Sequence, residues 1–147
     1  MTLTAAPAAP TSPVTAPARP RRWLAAYCGG VLAAVLPYGA GVLLPYFVNG
    51  LHRLPLAEVA SGRHDPKLLW PSYTGSGGLL DLAGFLSLAW TPLALVALVV
   101  LGPLAAWRTR HRPWLAACFV VLAAACVAAL GWLMGLTSAA LLAWRMD

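Results

Sequence analysis

Charge disappears from three long stretches of this chain: residues 23–48, 82–107 and 114–144 contain no Asp, Glu, Lys, Arg or His and consist almost wholly of Leu, Ala, Val, Gly and aromatic residues. An α-helix needs about 20 apolar residues to cross a ~30 Å hydrocarbon core. Each stretch therefore predicts a transmembrane helix. Between them lie an outer loop over 49–81 and a turn over 108–113, and residues 145–147 form a short outer end. The third stretch, if helical throughout, would measure ~46 Å and would have to tilt or protrude from the bilayer. The predicted fold class is an all-α integral membrane protein with three transmembrane helices. A β-barrel would show ~10-residue segments of alternating polarity instead.

Residues 1–22 break the pattern. Five prolines, at 7, 10, 13, 17 and 20, interrupt a run of Ala and Thr, and no periodicity survives them. This segment reads as a disordered Pro/Ala-rich cytoplasmic tail.

Composition narrows the function classes. Of 147 residues, 61% are hydrophobic and 10% charged, whereas about a quarter of a soluble domain is charged. The longest piece outside the apolar runs, 49–81, is shorter than the ~40 residues a domain needs to fold without staples. A separate soluble catalytic domain is excluded. The Ala, Arg and Pro bias with a single lysine matches high-GC bacterial coding.

The net charge of +6 is unevenly placed. Arg19, Arg21 and Arg22 precede the first span, and Arg108, Arg110 and Arg112 lie in the 108–113 turn; with three crossings these segments share a side that carries no acid. On the other side, Arg53, Arg63 and Lys67 balance Glu58, Asp65 and Asp81, and Arg145 balances Asp147. The positive-inside rule then makes the arginine face cytoplasmic, with the N-terminus inside and the C-terminus outside the plasma membrane. Trp23, Trp107 and Trp114 mark the cytoplasmic boundaries; Tyr46, Trp70, Tyr73 and Trp144 mark the outer ones. Trp90 and Trp132 fall deep in spans, as helix-packing residues. The six arginines are candidate contacts for anionic lipid headgroups, at about 1 kcal/mol per charge. A six-residue turn is too small for nucleic acid.

Two local features carry the candidate sites. The first span contains Leu36-Pro37-Tyr38-Gly39-Ala40-Gly41 and then Pro45-Tyr46. Each proline lacks a backbone donor, which frees the carbonyls of Ala33 and Gly41. Pro37, Gly39, Gly41 and Pro45, with Pro92 in the second span, are candidate hinges. They read as structural kinks, because no ionisable residue in any span is present to couple to an ion. The third span has small residues at every fourth position, Gly131, Gly135, Ala139 and Ala143, beginning with a G-x-x-x-G; this spacing lets helix backbones approach closely. Its partner is another helix of the chain, a second copy, or a different membrane protein. Ala124–Ala128 extends the small-residue character.

Chemistry is sparse. Cys28, Cys118 and Cys126 lie inside spans as reduced, apolar-packed thiols. His52, Glu58, His64, Asp65 and Asp81 share the outer loop without a spacing that gathers metal ligands, so no metal or cofactor is expected. Gly75-Ser76-Gly77-Gly78 is a flexible lead into the second helix, whose first turn would hold Asp81 against the helix dipole. There is no G-x-S-x-G and no H-E-x-x-H. The expected function is a non-catalytic interaction or assembly subunit of a membrane complex. The alternative is a homo-oligomeric transporter or channel using the broken first helix, and an outer-face enzyme built on His52 and His64 comes third.

Overall fold

Helix α1 (Pro20–Tyr38) begins at a proline, whose fixed φ and absent N–H suit the first helical position. It cannot continue regularly to Pro45. In an α-helix that ring would meet the Gly41 carbonyl. The backbone widens instead into a π-helical segment, Gly39–Leu43, in which the Leu44 N–H donates to the Gly39 carbonyl, before α2 (Leu44–Val48) completes the rod. Gly50, at φ +70°, ends it in the left-handed region that glycine tolerates.

The structure is a computed structural model that describes residues 20–61, 63–72 and 77–146. The tail expected over 1–22 therefore lies mostly outside the described residues, as do Arg19, Tyr73, Gly75, Ser76 and Asp147. The described residues are all-helical. Three helical stretches are long and apolar enough to cross a membrane: Arg21–Val48, Gly77–Arg108 and Pro113–Leu133. This is the architecture of a multi-pass membrane protein.

The outer loop is short helical pieces: a 3-10 turn at Leu51–Arg53, α3 (Leu56–Val59), and a 3-10 turn at Pro66–Leu68. Asn49 ties its two ends together. Its amide nitrogen donates to the Pro45 and Trp70 carbonyls at 2.8 and 2.7 Å, and its oxygen accepts from the Trp70 N–H at 3.1 Å. Helix α4 (Gly77–Arg108) continues through Pro92 and Pro103. Thr109 closes it by donating its hydroxyl to the Ala105 carbonyl at 2.8 Å, and Pro113 opens α5 (Pro113–Leu133) after a turn.

Here structure and sequence pattern part company. The third apolar run is not one helix. After Leu133 the chain turns through Met134 and Gly135 and starts α6 (Leu136–Met146). The physical reason is length. Twenty-one residues of α5 already span about 31 Å at 1.5 Å per residue, the thickness of the hydrocarbon core. Beyond it, folding back buries Leu141 and Trp144 against the outer loop.

Helix α4 is the centre of the bundle, packed on α1 and on α5, while α1 and α5 meet far less. Two apolar cores result. One, at the loop end, joins Tyr38, Val42 and Tyr46 with Leu51, Val59, Leu141 and Trp144. The other joins Tyr27, Ala34, Leu95, Leu98, Phe119 and Cys126, with Tyr27 and Phe119 edge to face at 5.4 Å.

Candidate functional site

The buried face of α4 explains how close the helices come. Gly84, Ser87, Thr91, Leu95, Leu98 and Gly102 are all buried and recur at intervals of three and four, one stripe along one side of a helix. Gly84 meets Gly41 of the π segment backbone to backbone: a β-carbon on residue 84 would stand 2.5 Å from the Gly41 oxygen. A β-carbon on Gly102 would stand 2.6 Å from that of Ala123 in α5 and 2.8 Å from the Tyr27 hydroxyl. Side chains bridge the same faces. Thr91 donates its hydroxyl to the Ala34 carbonyl at 2.8 Å, and Tyr27 donates to the Leu98 carbonyl at 2.7 Å.

These contacts place the candidate hinges. Pro37 and Gly39 are half-buried, Gly41 and Pro45 are buried, and Pro92 is half-buried within a continuous α4. The Ala33 carbonyl that Pro37 leaves free accepts from the Trp90 indole N–H at 3.1 Å. Trp90 thus reaches α1 through its polar edge while its ring is half exposed. Trp132 instead sets its ring edge to face with Tyr38 at 6.1 Å. Among the described residues, no buried side-chain nitrogen or oxygen lacks a hydrogen-bond partner.

The stripe on the third run is divided by the turn at Met134–Gly135. Gly131, near the end of α5, is exposed and a β-carbon there meets nothing within 4 Å; Gly135 sits in the turn; Ala139 and Ala143 lie on the exposed side of α6. With the turn between them, Gly131 and Gly135 do not continue into α6 as one helical face. Instead α5 presents another small-residue face. Ala117, Ala124, Ala128 and Gly131 are exposed, and at 100° per residue they lie roughly opposite the buried Leu115, Phe119, Ala123 and Cys126.

At the loop end the structure assembles an ion pair that the segment-by-segment charge balance conceals. Arg145 of α6 donates to the Asp81 carboxylate of α4. The arginine side chain is only 6% exposed and the aspartate 32%. Because α4 begins at Gly77, Asp81 is past the first turn, so its role there is the pair with Arg145 and not an N-terminal dipole contact. The guanidinium lies over the glycine crossing, 3.1 Å from where a β-carbon on Gly84 would stand. Next to it, the Trp144 indole donates to the His64 carbonyl at 2.8 Å, and His64 and Glu58 approach to 3.5 Å. Among the described residues no three of His, Cys, Asp and Glu gather as metal ligands.

At the opposite end, Arg21, Arg108 and Arg112 converge on the mouth of a groove of about 1140 Å³ between α1 and α4. Arg22 and Arg110 lie off it, the Arg110 guanidinium stacked 4.9 Å over the Trp107 ring. Against known proteins, this chain matches no family model, no curated protein and no solved structure.

Proposed function

We propose that the protein is a non-catalytic subunit of a membrane complex, docking on a partner helix through the outward face of α5. One observation supports this: Ala117, Ala124, Ala128 and Gly131, with Val120 and Val121 beside them, form an exposed face rich in small residues on the side of α5 turned away from its own bundle. In lipid there is little hydrophobic gain from pairing helices, and small residues favour association by letting backbones and their carbonyls come close. The transporter alternative has less support. The Ala33 carbonyl freed in the first helix is taken by Trp90, and the π segment is packed on Gly84, so the broken helix spends its irregularity on the bundle.

Gly131→Ile and Ala124→Ile are expected to weaken association by about 1 kcal/mol each, read as the share of complexed protein in native mass measurements with co-purifying chains identified. Ala143→Ile, on α6, should leave it unchanged. An unchanged complex in all three variants would assign the α5 face to lipid.

The same reading places the protein in the cytoplasmic membrane with the arginine end inside. Supporting it, α6 packs on α3 and the loop, so the near-neutral segments share one end and Arg21, Arg108 and Arg112 the other. A reporter fused after residue 147 should give the signal of the outer compartment, and a cytoplasmic signal there would overturn this orientation.

A further inference from the structure

We propose that the groove at the arginine end holds one anionic phospholipid, its phosphate among Arg21, Arg108 and Arg112 and one acyl chain lying between α1 and α4. The groove exists because α1 contributes the small Ala26 and Gly30, one turn apart, to its lining, while Tyr27 packs edge to face on Phe119 of α5. A β-carbon on Gly30 would already press to 3.3 Å on Leu98. Tyr27 forms the inner wall, but its hydroxyl is committed to the Leu98 carbonyl, so the wall is apolar in effect.

Charge selects the occupant. Three guanidiniums from three separate segments, the start of α1, the end of α4 and the turn before α5, reach the mouth, and the lining contains no carboxylate. Arginine forks match phosphate oxygens in pairs. Length selects a lipid over a soluble anion. From Arg108 to Leu98 along α4 is about 15 Å, half the thickness of the hydrocarbon core, so the groove runs from headgroup level to the midplane. Trp23, half exposed at the mouth, belongs at that headgroup level. The volume exceeds that of ordinary small-molecule pockets. This inference is independent of the partner reading, since it concerns α1 and α4 and not the outward face of α5.

The test uses the full chain in neutral detergent, titrated with dioleoyl-phosphatidylglycerol or dioleoyl-phosphatidylcholine and read by native mass spectrometry. One phosphatidylglycerol per chain is expected, retained at least tenfold better than phosphatidylcholine. Arg108→Gln with Arg112→Gln should lower that retention at least tenfold. Arg22→Gln with Arg110→Gln, the same charge change off the groove, should alter it less than twofold. Ala26→Trp should displace the lipid by filling the wall. Four results would each overturn the proposal. Equal losses for both arginine pairs mean diffuse surface attraction, and equal retention of the two lipids means an apolar face alone. Displacement by millimolar inorganic phosphate means a soluble-anion site. A lipid-free dimer that Ala26→Trp dissociates means a second copy in the groove.

Discussion

Gly84→Leu should leave no stably folded bundle, and Gly84→Ala alone should cost 1–3 kcal/mol, the range for forcing atoms into a packed contact. The reasoning is geometric. Even a single methyl at residue 84 would stand 2.5 Å from the Gly41 oxygen and 3.1 Å from the Arg145 guanidinium. The first neighbour is backbone and cannot rotate away. To admit the methyl, α4 must separate from the π segment along the crossing, which loosens the loop-end core of Tyr38, Val42 and Tyr46. Gly29→Ala is the matched control: it sits in α1 with nothing within 4 Å of the new β-carbon, so it should be neutral or slightly stabilising through helix propensity. The measurement is unfolding of each variant in mixed micelles, followed by loss of helicity. If Gly84→Ala and Gly29→Ala behave alike, the close crossing is not what holds α4 to the first helix.

Much of this architecture is legible in the sequence, and the parts that are not have physical causes. Freedom from charge over 20 or more residues is a global property of a segment, so three spans can be read without knowing what each touches. Pro37 and Pro45 likewise announce that the first helix must depart from regularity, because the missing donors are local facts. What replaces them is not local. The donor for the Ala33 carbonyl is Trp90, 57 residues away, and no pattern within the first span names it. The small-residue stripe shows the same division. Gly131 and Gly135 form a literal motif, yet the close helix crossings are made by Gly41 of the π segment and by Gly84 and Gly102, 18 positions apart on α4. A signal for the α4 part was present: Gly84, Ser87 and Thr91 stand at intervals of three and four in an otherwise bulky Leu- and Val-rich helix. The end of α5 was hidden because 114–144 is apolar throughout; apolarity marks what leaves water, not where the chain turns. Asp81 and Arg145 were hidden by arithmetic. Each is balanced by neighbours in its own segment, while the fold pairs them across 64 positions.

That pair gives the second large effect, and its two halves should be unequal. Asp81→Leu should cost about 3 kcal/mol, in the range for stripping a buried charge of its partner. Arg145→Leu should cost less, on the order of 1–2 kcal/mol, because the remaining carboxylate is partly open to water. The asymmetry follows from exposure: the arginine side chain is 6% exposed and the aspartate 32%. Removing the acid strands a guanidinium under α6, above the glycine crossing; removing the base leaves a carboxylate with a third of its surface already solvated. The double substitution removes both charges, so it should be closer to the native protein than Asp81→Leu is. In a double-mutant cycle the two changes should therefore be strongly non-additive, with a coupling of about 1–3 kcal/mol. Hydrogen exchange provides an independent reading. Amides of α6 should lose protection in Asp81→Leu and regain part of it in the double variant, while those of α5 change little, since α6 is held by Arg145, Trp144 and Leu141 on the loop side. Additive single costs would mean that α6 is docked by its apolar face alone, and a larger cost for Arg145→Leu than for Asp81→Leu would mean that side-chain exposure does not set the asymmetry. Non-additivity in the expected direction would make the ion pair the clasp that holds α6 over the loop end of the bundle.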